Sequence, residues 1–149
     1  MYKSILVPLD GSKRAQRILP HVEKLAQRFE AEVIFIRVVE PLVRTSGTHG
    51  SNTEMYINMV DELYKEAKAY LTALKGEFRE KGISVKTIVR RGTVVNNIIS
   101  VSESEDVDLI AMASHGRTGL GRVFYGSVAA GVLHQVDRPL LLIRARSDS

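Results

Sequence analysis

Hydrophobic positions along the chain follow two rhythms that replace one another in turn. The runs "SILVPLD" (Ser4 to Asp10) and "EVIFIRVV" (Glu32 to Val39) are short, apolar and rich in β-branched residues, as strands buried in a parallel sheet tend to be. Between them Ala15, Ile18, Leu19, Val22, Leu25, Ala26 and Phe29 recur every three or four residues, which lines one face of a helix that Ser12 can cap. Pro20 falls inside that pattern, and a kink is expected there. A second helical stripe, Val60, Leu63, Ala67, Leu71, Leu74 and Phe78, ends at Gly82 and leads into the alternating "ISVKTIVR", a third strand. Thr93 then caps a short helix carrying Val95, Ile98 and Ile99, "VDLIAMA" supplies a fourth strand and "PLLLIRA" a fifth. Five strands alternating with four helices predict an α/β fold. The expected architecture is one Rossmann-like domain over residues 1–149, with a five-stranded, mostly parallel sheet and helices on both faces.

Two stretches break the alternation. "EPLVRTSGTHGSNTE", Glu40 to Glu54, is rich in Ser, Thr and Gly and is expected to be a mobile loop. "SHGRTGLGRVFYGS", Ser114 to Ser127, is glycine-rich and polar although it joins two elements with the character of core. In parallel α/β sheets ligands bind beyond the carboxyl ends of the strands, where the direction of winding switches. "DGS" after strand one and the glycine-rich segment after strand four meet there if those strands are neighbours. Glycines let a backbone approach a ligand closely, exposed amides form an anion-binding concavity, and Gly126 with Ser127 opens the last helix, whose N-terminus favours negative charge. Arg117 and Arg122 could add charge-assisted hydrogen bonds, or could equally be solvated surface arginines. Neither G-x-x-x-x-G-K-S/T nor a G-x-G-x-x-G after the first strand is present. On physical grounds alone a plain flexible loop competes evenly with a phosphate cradle.

Composition narrows the field of functions. With 149 residues, 44% hydrophobic and 26% charged, the chain has the balance of a single globular domain. The absence of cysteine removes thiol catalysis, disulfides and thiolate metal sites. The absence of tryptophan argues against an aromatic stacking platform. A net charge of +4 helps to attract phosphates, but the basic residues are spread along the chain, which argues against a nucleic-acid partner. No segment has the roughly 20 apolar residues of a membrane helix, and the start "MYKSILVPLD" lacks the features of a signal peptide, so no membrane association and a cytoplasmic location are expected. His21, His49 and His134 show no ligand spacing, and no dedicated metal site is expected. His115 stands beside the glycine-rich loop as a candidate base, a role that fewer lone loop histidines fill than simple solvation. The acidic run "SESEDVD" before strand four is expected to be a solvated helix end.

Three stretches together, "ILVPLDGS", "VDLIAMASHGRTGLGRVFYGSVA" and "RPLLLIR", resemble the universal stress protein family along nearly the whole chain, a resemblance that implies strand order 3-2-1-4-5. The nucleotide-binding branch of that family carries Gly, two residues, Gly, nine residues, Gly, then Ser or Thr. Gly116, nine residues and Gly126-Ser127 match its second half, while Ala113 stands where the first glycine would be. The resemblance implies ATP as ligand, and magnesium can arrive on the phosphates of such a nucleotide, with Asp10 as a neighbour. It implies that Asp10 holds the ribose, that Pro8 and Leu9 line the same strand end, and that the Val38 backbone meets the adenine edge. It implies that Gly116, Gly126, Ser127 and the Val128 amide hold the triphosphate, Ser127 doubling as a helix cap, with Ala113 and Arg117 alongside. Members of the family often pair through the last strand, so a homodimer is expected. The function implied is an ATP-binding regulatory module; the alternatives are a slow ATP hydrolase or phosphoryl-transfer enzyme, and a dimeric stress protein that binds no nucleotide.

Overall fold

The computed structural model describes residues 1–40, 53–115 and 126–145. Its strands are β1 (Ser4–Pro8), β2 (Glu32–Val39), β3 (Val85–Arg91), β4 (Leu109–His115) and β5 (Leu140–Ala145). They form one sheet in the order β3-β2-β1-β4-β5, and all four neighbouring pairs are parallel. The chain therefore winds outward from β1 to β3, crosses back to β4 beside β1, and continues to β5. β1 and β4 flank the point where winding reverses.

The helices are α1 (Lys13–Gln16), α2 (Leu19–Phe29), α3 (Thr53–Glu80), α4 (Val94–Ser104) and α5 (Ser127–Gln135). The single helix expected between β1 and β2 is thus two. Pro20 has no N–H to donate, and its ring crowds the carbonyl four residues back, at Gln16. The first helix accordingly stops at Gln16, and the second restarts with Pro20 in its opening turn, where an amide hydrogen is not needed. α3 begins at Thr53, so the end of the loop expected over residues 40–54 is helical; residues 41–52 lie outside the described part. Its stripe of Val60, Ala67, Leu71, Leu74 and Phe78 is buried, and Gly82, at φ +79, turns the chain into β3.

Alternate strand residues face opposite layers. Ile5, Val7, Val33 and Phe35 pack beneath α1, α2 and α3, where Phe35 meets Phe78 edge-on with ring centroids 5.1 Å apart. Leu6, Ile34, Ile36, Ile110 and Met112 face the other way, onto Ile98 and Val101 of α4 and Ala129 and Val132 of α5. The two edges of the sheet differ. β3 carries exposed Lys86, Arg90 and Arg91, whereas Leu140 to Ile143 of β5 are apolar and only half-buried.

The acidic run before β4 is more than a solvated helix end. Asp108 Oδ2 accepts hydrogen bonds from the amides of Lys3 (2.7 Å) and Ser4 (3.0 Å), fixing the start of β1 against β4. Glu105 pairs with Lys86 of β3 at 2.8 Å, and Asp106 pairs with Arg138, just before β5, at 2.9 Å. Three neighbouring carboxylates therefore tie down the entries of separate strands.

Candidate functional site

The β1 carboxyl end turns sharply into α1 through Asp10, Gly11 and Ser12. The Ser12 amide donates to Asp10 Oδ1 at 2.9 Å, and Ser12 Oγ accepts from the Ala15 amide at 3.1 Å, so the expected serine cap is present. Gly11 has φ +87, and a Cβ there would press on the Arg37 guanidinium at 3.2 Å. Arg37 in turn lies 5.0 Å over the ring of Tyr70, whose hydroxyl accepts from Gln16 Nε2 at 2.7 Å. The turn that presents Asp10 thus rests on a stack contributed by β2, α3 and α1.

Asp10 itself is held by Arg14, whose Nη2 lies 3.2 Å from Asp10 Oδ2 while Nη1 reaches the Ala113 carbonyl at 3.4 Å. Partial burial on its own raises the Asp10 carboxyl, but hydrogen bonds from Ser12 and the Arg14 charge outweigh it and leave the group below its ordinary value. A depressed carboxylate stabilises the fold above its unfolded pKa, about 3.9, and loses that contribution as pH falls through the folded value. Urea unfolding of Asp10→Asn beside the native chain should show a gap in midpoint that is constant from neutral pH down to about 5 and closes below about 4. A gap that persists unchanged to about pH 2 would rule out the charge as its source.

Beyond the carboxyl ends of β1 and β4 lies a cleft of about 240 Å³, just below the roughly 300–1,000 Å³ usual for a small-molecule site. Pro8, Leu9, Asp10, Val38, Ala113, Gly126, Ser127 and Val128, eight positions singled out from the sequence, all line it. Gly116, Arg117 and Arg122 fall outside the described residues. The floor is apolar, formed by Ile36, Val94, Ile98 and Met112 together with Ala15 and Ala129, and His115 stands at the wall beside Gly126. Sequence reasoning took Ile98 and Ala15 only as core and missed Arg14. The one cue for Arg14 was its spacing of four from Asp10.

One expectation changes on contact with the geometry. Ser127 is not the cap of α5: Gly126 holds the cap position and no side chain bonds there, because glycine offers no side-chain acceptor and Ser127 already lies within the first turn. Ala130 N donates to the Gly126 carbonyl, so the amides of residues 127 to 129 precede the first helical hydrogen bond, the state in which a helix start accepts an anion. Ala113 sits in regular strand opposite Ile143 and is not among the residues with positive φ, so its backbone has no requirement for glycine.

An adenine nucleotide suits this donor set. Apolar walls can take a base, a carboxylate can take ribose hydroxyls, and open helix amides can take phosphate. A protein-held divalent ion does not. Asp10 is the sole carboxylate among the described lining residues and is already paired, and no group of three or more potential ligands that could hold a metal occurs among the described residues.

Among known proteins the likeness is extensive. Universal stress protein MJ0577 of Methanocaldococcus jannaschii is 31% identical, the match covering 99% of this chain and 98% of that one. Its solved structure superposes with a TM-score of 0.83 at 32% identity, covering 100% of this chain and 99% of that one. A universal stress protein solved in complex with cAMP shares the fold at TM-score 0.63 and 17% identity, over 97% of this chain and 98% of that one. The model of the universal stress protein family matches residues 1–144. With sequence, strand order and switch point in agreement from end to end, the chain belongs to the universal stress protein family.

Proposed function

We propose that the cleft binds an adenine nucleotide, ATP in the first place, and that the nucleotide state of this small domain governs its conformation or its partners. The observation that carries the reading is the convergence of Asp10, Val38 and the Gly126–Val128 backbone, from three distant parts of the chain, on one cleft at the switch point. In this reading Asp10 takes the ribose hydroxyls, the Val38 backbone meets the adenine edge, and Ile36, Ile98 and Met112 pack on the base. The amides of Ser127 and Val128 take phosphate oxygens at the start of α5. Pro8, Leu9 and Ala113 shape the wall, and the family's pattern gives Gly116 and Arg117 to the phosphates. The cAMP complex supports the class of ligand, because it shows that a protein of this fold can seat an adenine nucleotide.

A regulatory role fits better than turnover. Phosphoryl transfer needs a positioned base and charge stabilisation at the reacting oxygen, and His115 is the cleft's one described candidate for the base. In the same reading two copies pair along β5, whose half-buried leucines and isoleucine lie on an open sheet edge.

Calorimetric titration of nucleotide-stripped protein with ATP tests the proposal, and saturable one-to-one binding is the expected result. A folded chain that takes up no heat at millimolar ATP, on the order of the weakest physiological sites, would hand first place to a protein that acts through protein contacts alone. Multiple turnovers of ATP would make it an enzyme.

A further inference from the structure

We infer that Arg14 occupies the role a metal ion would otherwise fill in this cleft, so that the site takes the nucleotide's phosphates without magnesium. The inference rests on the nucleotide reading above and adds the charge chemistry of the site.

Arg14 projects from the short helix α1 into the gap between the ends of β1 and β4. One guanidinium nitrogen bonds Asp10 Oδ2 at 3.2 Å and the other the Ala113 carbonyl at 3.4 Å. A guanidinium carries about five N–H donors. These two bonds leave the remainder without a partner among the described residues, on a side chain 31% exposed and lining the cleft. Planar, permanently charged and forked, the group matches the oxygens of a phosphate.

Magnesium meets the opposite conditions. It demands about six oxygen ligands in near-octahedral array and is ordinarily held by one or two free carboxylates plus substrate phosphates. Asp10 Oδ1 is committed to the Ser12 amide at 2.9 Å and Oδ2 to Arg14. A divalent ion approaching Asp10 would have to expel a guanidinium or sit against it, like charge on like charge. The open amides at the start of α5 line the same cleft, so positive potential comes from both walls and a nucleotide that retains its full negative charge is favoured.

The test is ATP calorimetry on metal-stripped native protein, once in EDTA and once in excess magnesium, repeated on Arg14→Met and Arg14→Lys. The native chain should bind ATP in EDTA at least as tightly as in magnesium. Arg14→Met should lose about tenfold or more in EDTA, the worth of charge-assisted hydrogen bonds, and should now bind better with magnesium, because the ion's charge takes the place of the guanidinium's against the phosphates. Arg14→Lys should keep most of the EDTA binding.

Native binding that appears only with magnesium overturns the inference and leaves the nucleotide site standing. An equal loss in both buffers on Arg14→Met overturns it too, since a residue that merely supports the turn would weaken both alike. Absence of ATP binding in either buffer removes the nucleotide reading and this inference together. If Arg14→Met does not fold, the ratio of native affinities in the two buffers still decides.

Discussion

On the nucleotide reading proposed above, substitution of Gly126 by valine is expected to weaken ATP binding by at least about a hundredfold, since the amides it would displace would make two or three hydrogen bonds to charged oxygens at about 1.5–3 kcal/mol each. Gly126 has φ 84 and ψ 157, a region that is essentially closed to residues with a Cβ and costs on the order of 1–3 kcal/mol to occupy. A Cβ built there also runs into the ring of His115. The backbone has to move to relieve both, and the first turn of α5 moves with it, taking Ser127 and Val128 out of register with the cleft. The rest of the domain does not depend on that turn, so the melting temperature should fall by no more than about 2–12 °C. Titration with ATP beside a thermal melt separates the two effects. Binding within about threefold of native, roughly 0.7 kcal/mol, would mean that the start of α5 is not where phosphate lies. Replacing His115 by alanine alongside Gly126→Ala should recover the part due to collision and leave the part due to φ.

Phe35→Ala should be the most damaging change to stability. Phe35 is 0% exposed in the middle strand of its half-sheet, and its ring supports Phe78 near the end of α3. Removing it deletes buried apolar area and leaves a cavity between sheet and helix that α3 is too firmly seated to collapse into. Such truncations cost about 3–5 kcal/mol, a large share of the 5–15 kcal/mol that holds a typical domain together. Urea unfolding should show a lower midpoint with an unchanged slope, and the melting temperature should drop by about 6–20 °C. Phe35→Leu should recover much of the loss, being closer in volume. A cost below about 1 kcal/mol for Phe35→Ala would show that α3 re-packs freely on β2 and is not fixed by this contact.

Elements that announce themselves locally were legible in the sequence. β2 is an apolar run from Val33 to Val39 interrupted only by Arg37, α3 a clean stripe, and the Ser12 cap follows from residue type and spacing. A mostly parallel sheet follows from the alternation of elements together with the handedness of crossovers, but its strand order and switch point do not, since the same alternation also builds other orders. What local pattern could not show are contacts between residues far apart in the chain. Asp108 looks solvated until β1 places the amide of Lys3, 105 residues earlier, within 2.7 Å. Arg14 looks like any exposed helix cation until the Ala113 carbonyl, 99 residues later, comes within 3.4 Å. Pro20 is a different case. The sequence marks the disturbance, but whether a helix bends or breaks depends on how its two halves pack, and here Ile18 and Val22 are both driven fully into the core.

The unequal edges of the sheet set a limit on growth. Any chain that presents an open strand faces the hazard of endless lateral addition, each copy offering the next a fresh edge. Lysine and arginine along β3 oppose such an approach, whereas Leu140 to Ile143 of β5 form the apolar edge along which pairing is proposed. When two β5 edges meet about a two-fold axis, each consumes the other, and the faces left outward are the two charged β3 edges. In the pairing proposed above, a closed pair would end the series, since neither of its outward edges offers the apolar strand that the first step used.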